Sequence, residues 1–255
     1  MTAGDESLRV GLEAGVLTVT INRPEKRNAL NAEVVEGLHR ALDRADLDPD
    51  VRVVVVRGAG KDFCAGADLG ELLVSAERTV AENEVSAARL GAVFTRIRGL
   101  PKPVLALVQG SALAGGAGLA TACDLAIAGA GARLGYSEIQ RGFVPAMVMT
   151  LLRRLAGEKA ALDLVLTGKV LTAPEALAVG LLSRVVPDAD LEREGMAVAR
   201  SLAEASGSAL AFTKQLFYQL DTLSFDDGIA LGAKINALAR ATPEFREAVG
   251  RFLRR

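Results

Sequence analysis

A chain of 255 residues, half of them apolar and 24% charged, can bury a sizeable core and stays within the length over which one core still grows. Its 30 basic and 31 acidic side chains leave a formal net charge of −1, which excludes a disordered polyelectrolyte and argues against a nucleic-acid partner. His39 is the one histidine and Cys64 and Cys123 the two cysteines, so no Cys/His zinc cluster, disulfide framework or triad built on a second histidine can be drawn.

Asp5 and Glu6 precede any hydrophobic stretch, which matches neither a secretory signal nor a transit peptide. No apolar run reaches the ~18 residues of a membrane helix. The expectation is a cytoplasmic protein without a membrane partner, and the abundance of Ala, with Arg in excess of Lys, suggests a GC-rich bacterial genome.

The first predicted element is a hairpin, Leu8–Leu12 and Val16–Ile21, turning at Glu13, Ala14 and Gly15. A helix follows from the cap Asn31, with Val34, Leu38, Leu42 and Ala45 at helical spacing up to the stop Asp48-Pro49; His39 flanks that stripe as a surface or packing residue. The β-branched run Val51–Val56 reads as a strand covered on both faces. Val104–Val108 and Leu125–Ala128 read as further buried strands, separated by helices over Thr79–Arg98 and Gly116–Cys123.

Strands alternating with helices, each strand followed by glycine, describe an α/β domain of parallel strands with its working loops at their carboxyl ends. Beyond Pro145 the pattern turns helical: 147–155, 158–166, 174–179 after the cap Thr172, 189–205, 210–220, 225–240 and 243–253, with one short strand over Ser183–Val186. The expected organisation is an α/β core over residues 1–190 and a helical region over 191–255.

Two glycine-rich turns hold the candidate chemistry. Lys61-Asp62-Phe63-Cys64-Ala65-Gly66-Ala67-Asp68-Leu69 follows the strand ending at Val56, and Gly110 through Gly118 follows the strand ending at Val108 and enters a helix. Small residues let a ligand approach backbone N–H groups, and the helix start favours negative charge. Each turn alone is equally a tight packing site. A phosphate loop is excluded because no Gly-Lys-Ser or Gly-Lys-Thr follows, a dinucleotide fingerprint by the spacing of Gly115, Gly116 and Gly118, and a serine elbow because Gly-x-Ser-x-Gly is absent.

Taken in order, Arg23-Pro24-Glu25-Lys26-Arg27-Asn28-Ala29-Leu30-Asn31, Cys64-Ala65-Gly66-Ala67-Asp68-Leu69, Val108-Gln109-Gly110 to Gly115-Gly116-Ala117-Gly118, Ala122-Cys123-Asp124 and Tyr136-Ser137-Glu138 resemble the enoyl-CoA hydratase/isomerase (crotonase) family from about Leu8 to Phe252. The resemblance implies a spiral of ββα units with a C-terminal helical trimerisation region, assembled as homotrimers or dimers of trimers. It implies acyl-CoA thioester substrates, an oxyanion hole for their enolate, and no cofactor beyond the coenzyme A of the substrate.

By matching position, the oxyanion donors fall on the N–H groups of Ala67 and Gly115, and the catalytic carboxylate on Glu138. Lys26, Arg27, Ala29, Leu30, Ala65, Asp68 and Leu69 fall on the coenzyme A segments, with Gly118 and Phe143 also assigned to substrate binding. The sequence departs from the best-known hydratases at 118, where glycine replaces their second glutamate.

Glu138 alone must then serve water and the C2 carbon together, making a one-glutamate hydratase; an isomerase moving a double bond from C3 to C2 with one base is the alternative. A non-catalytic acyl-CoA binder is a third possibility. Gly116-Ala117-Gly118-Leu119 and Gly142-Phe143-Val144-Pro145-Ala146 resemble the methylglutaconyl-CoA hydratase-type branch.

Arg141, where the family commonly has an aliphatic residue, reads as a modifier of Glu138, a receptor for an acyl carboxylate, or a solvent-facing or subunit-bridging cation. Asp124 reads as a backbone acceptor, and Cys64 and Cys123 as buried hydrophobes. Phe143, Val144, Met147 and Met149 suit either an acyl pocket or the core. Glu71, Glu77, Glu82 and Glu84 are candidates to replace the lost carboxylate.

Overall fold

The structure is a computed structural model and describes residues 7–254; Asp5 and Glu6 lie outside them. The chain opens with the hairpin β1 (Leu8–Glu13) and β2 (Val16–Ile21). It continues through α1 (Ala32–Leu47), β3 (Val53–Gly58), α2 (Leu69–Ser75), α3 (Val80–Gly99), β4 (Val104–Val108), β5 (Ser111–Leu113), α4 (Gly115–Ala122), β6 (Leu125–Gly129) and β7 (Arg133–Gly135). After a 3-10 turn over Glu138–Arg141 come α5 (Ala146–Leu155), α6 (Gly157–Thr167), β8 (Val170–Thr172), α7 (Ala173–Ala178) and β9 (Arg184–Val186). The chain ends in α8 (Leu191–Glu204), α9 (Gly207–Gln219), α10 (Phe225–Ala241) and α11 (Pro243–Leu253).

Six strands make the main sheet in the order β1-β2-β3-β4-β6-β9, antiparallel only in the hairpin and parallel elsewhere. The central strands are apolar throughout because both faces are covered: every residue of β4 is buried. A second layer, β5-β7-β8, stands beside it and is extended by the bridges Cys64–Ala112 and Leu30–Ala67. Twice the chain passes from a long strand to a short one and then to a helix, β4-β5-α4 and β6-β7-α5, which is the ββα spiral.

Sequence reading found the long strands and missed β5, β7 and β8. Each is three residues long, too short to show alternation, and β5 and β7 carry Ser111, Arg133 and Gly135. It also missed α2, whose seven residues include none that is buried.

Local chemistry sets the helix starts. Asn31 Oδ1 accepts from Val34 N–H, and Thr79 with Glu82, like Thr172 with Glu175, forms a reciprocal capping box. One large core lies between the layers and the helices α1, α3, α4 and α5. A second lies on the other sheet face, where Leu191 and Ala199 of α8 cover Val16, Val53, Val55, Leu105, Leu107 and Ile127. The expected boundary between 190 and 191 therefore cuts through packed structure: α8 is a layer of the core, and only α9 to α11 project beyond it.

Candidate active site

The turns after β3 and β4 run side by side. Cys64 N–H donates to Ser111 O at 3.0 Å and Leu113 N–H to Cys64 O at 2.9 Å. The turns are also in close contact at Gly66 (φ 94°), where a Cβ would lie 2.8 Å from Leu113 O and 2.9 Å from Ala114 Cβ. Glycine is needed there for its backbone conformation and for its missing side chain.

Leu30 N–H donates to Gly66 O and Asp68 N–H to Leu30 O, so the strand alternation turns the intervening Ala67 N–H away from Leu30. Gly115 opens α4 and keeps an N–H that the helix cannot satisfy. Among the described residues neither N–H has an acceptor. Ala114 joins them at φ 51°, ψ −125°, a strained conformation for a residue with a Cβ, held by its N–H to Gly135 O at 2.7 Å.

Ala67, Gly115 and Glu138 line one cavity of about 800 Å³. Glu138 is 8% exposed, and its Oε2 has no hydrogen-bond partner among the described residues. Burial holds its pKa above the ordinary carboxyl value, against the opposing pull of its own backbone N–H and the Arg141 charge. Beneath it, Tyr136 is fully buried with its hydroxyl 3.2 Å from Thr121 Oγ1. Two free N–H donors and a carboxyl poised to exchange a proton thus face one space, an arrangement that stabilises a developing oxyanion beside an acid–base group.

Gly118 does not reach that cavity. A Cβ at 118 would overlap Val148 Cγ1 and lie 3.0 Å from Phe94 Cζ, and it is Val148 and Phe94 that form the wall. The space a second carboxylate would need is filled by apolar atoms. None of Glu71, Glu77, Glu82 or Glu84 lines the cavity: Glu71 accepts from Ala32 N–H and Glu82 caps α3.

The Enoyl-CoA hydratase/isomerase family model matches residues 11–255. The chain belongs to the enoyl-CoA hydratase/isomerase family. A Thermus thermophilus protein described as an enoyl-CoA hydratase is 43% identical over 244 residues, covering 95% of this chain and 96% of its own. The Escherichia coli 1,2-epoxyphenylacetyl-CoA isomerase is 34% identical, also over 244 residues, covering 95% and 93%. The crystal structure of an enoyl-CoA hydratase from Mycobacterium smegmatis matches with a TM-score of 0.93 at 35% identity, covering 97% and 96%, so the fold is the crotonase fold. Relatives described as a hydratase and as an isomerase both match almost end to end.

Of the segments assigned to coenzyme A, Lys26, Arg27, Ala29, Ala65, Asp68 and Leu69 line the cavity, while Leu30 is buried behind them. Their cations differ. Arg27 is engaged, with Nε 2.9 Å from Asp62 Oδ2 and Nη2 2.7 Å from Ser111 Oγ, and that hydrogen-bonded pairing holds the Asp62 carboxyl below its usual range. Lys26 is exposed and enters no ion pair among the described residues. Asp68 is bound to Arg23 at 2.9 Å and caps α2 through Gly70 N–H, so it shapes the loop with both oxygens occupied.

Phe143, Val144 and Met147 line the cavity, whereas Met149 does not. His39 is a packing residue, its ring between Arg89 O and Arg96 Nη1. Burial pushes the Cys64 thiol up to about 12 and raises that of Cys123 as well, so neither is an available thiolate.

Sequence reasoning left three residues of the site without a role. Asn28, wholly buried at φ 56°, donates from Nδ2 to Ala59 O and Asp62 O and accepts from Arg23 N–H, joining the loop that carries Lys26 to the loop that leads to Ala67. Phe94 and Val148 sit on well-predicted helices, but which faces meet Gly118 follows from helix packing that periodicity does not disclose.

Proposed function

We propose that this enzyme hydrates a 2-enoyl-CoA thioester, with Glu138 as its single acid–base residue. The observation that carries the reading is the convergence of the Ala67 and Gly115 N–H groups with a buried, unpartnered Glu138 carboxyl in one cavity. The two donors hold the thioester oxygen as it gains charge, worth about 3 to 4 kcal/mol of barrier for a well-placed donor. Glu138 takes a proton from the water that attacks C3 and returns one to C2, and its raised pKa suits both halves of that exchange.

Lys26 supplies a cation for the phosphates of coenzyme A, and no further cofactor enters the scheme. The helices α10 and α11 contain no buried residue and expose Phe225 and Phe252, which supports assembly into a homotrimer or a pair of trimers.

Isomerisation of a 3-enoyl thioester is the second reading, favoured by the apolar Val148–Phe94 wall beside Gly118. One base that removes a C2 proton and returns it to C4 needs no water site there. A panel of 2-enoyl- and 3-enoyl-CoA substrates, run with wild type and Glu138→Gln, separates the readings. A product heavier by one water, absent with the variant, supports the hydratase; a conjugated product of unchanged mass supports the isomerase. Tight thioester binding with no turnover of either would leave a binding protein and reject both.

A further inference from the structure

Arg141 closes the 3-10 turn that Glu138 opens. Side chains three residues apart eclipse in a 3-10 turn, so the two stand on one face, and both line the cavity. The guanidinium is anchored at one nitrogen: Nη1 donates to Ser137 Oγ at 3.1 Å and to Ser137 O at 3.4 Å. Among the described residues, Nε and Nη2 make no hydrogen bond and no carboxylate is within ion-pair distance of Arg141.

That separates it from the other arginine on the cavity wall, because Arg27 is bound to Asp62. It also differs in place from Lys26, which lies on the loop between β2 and α1. The cavity therefore carries unpaired cations on two different walls, and the second stands next to Glu138 and the apolar Phe143 and Val144. A planar fork of free N–H donors held in place by its own turn is the arrangement that binds a carboxylate through two hydrogen bonds.

We infer that Arg141 is a specificity-determining residue that selects acyl groups ending in a second carboxylate, the thioesters of short dicarboxylic acids. The inference rests on the acyl-CoA reading above and narrows its substrate class. The competing role, a charge that acts only on Glu138, would serve neutral and acidic acyl groups alike.

The test uses saturated thioesters, which bind without reacting: glutaryl-CoA against the length-matched valeryl-CoA, titrated calorimetrically into wild type, Arg141→Leu and Arg141→Lys. Wild type is expected to bind glutaryl-CoA about tenfold or more tightly than valeryl-CoA. Arg141→Leu should erase that preference and leave valeryl-CoA within about twofold of wild type, while Arg141→Lys, a point charge without the fork, should retain part of it.

The unsaturated counterparts should show the same pattern in kcat/KM, the preference for the acidic acyl group being lost in Arg141→Leu. Equal affinity of wild type for the two thioesters, or an equal loss on both in Arg141→Leu, would overturn the assignment while leaving acyl-CoA binding intact. Binding of neither thioester would overturn it together with the function on which it rests.

Discussion

Glu138 links the fold's stability to its chemistry through one proton. Its folded pKa lies above that of the unfolded chain, so between the two values the native state holds more protons. Stability contributed by the protonated form is therefore complete below the ordinary carboxyl value and is lost as pH rises toward the folded value. Glu138→Gln removes that loss: the variant should melt no lower than wild type at pH 7, with a flatter dependence on pH across that window, while activity falls by ~10²- to 10⁴-fold. A lower melting temperature at pH 7, or retained turnover, would contradict this role.

Gly118 supports a second prediction at this scale. Because a Cβ there overlaps Val148, Gly118→Glu should destabilise by about 1 to 3 kcal/mol and gain no hydration activity. Adding Val148→Ala should return much of the stability, since it clears the methyl that blocks the site; thermal melts of the single and double variants decide it, and a single variant as stable as wild type would refute the overlap. That Ala67, Gly115 and Glu138 come together in one cavity was legible in sequence because the glycine-rich turns and Glu138 stand in an ordered pattern along the chain. The packing of Val148 against Gly118 was not, since it joins residues on α4 and α5 whose contact depends on how two helices cross.

Among the elements, α9 is attached by a buried ion pair. Lys214 Nζ lies 2.7 Å from Asp124 Oδ2 and donates to Ile97 O and Lys102 O, while Asp124 also accepts from Val104 N–H and from the Tyr218 hydroxyl. Arg98 stacks 3.8 Å over the Tyr218 ring. Lys214→Met leaves Asp124 buried without its counter-charge and should cost ~3 to 5 kcal/mol in denaturant unfolding. Adding Asp124→Asn should recover part of it, because the uncompensated charge goes too. Recovery of nothing would mean that packing, not charge, holds α9.

Legibility at this scale followed element length and caps. Asn31, Thr79 and Thr172 marked helix starts that the structure keeps, whereas β5, β7 and β8 exist because neighbouring chain aligns beside them. A strand of three residues is defined by its partners more than by its own pattern.

At the scale of the whole molecule, the two layers make the site by bringing carboxyl ends of parallel strands together, and the last two helices take no part in either core. Phe225, Ile229, Phe252 and Leu253 are between 63% and 83% exposed, more apolar surface than a lone helix pair usually leaves in water. Burying a side chain of this size is worth about 1.5 to 3 kcal/mol, so a few such residues from each copy suffice to hold an assembly together. Light scattering should therefore give wild type the mass of a trimer or a pair of trimers. Phe225→Asp with Phe252→Asp should lower that mass toward one chain at micromolar concentration while leaving the folded core, whose residues lie elsewhere, spectroscopically native. A monomeric wild type would remove the assembly from the proposal, and an unchanged mass in the double variant would move the contact to another face.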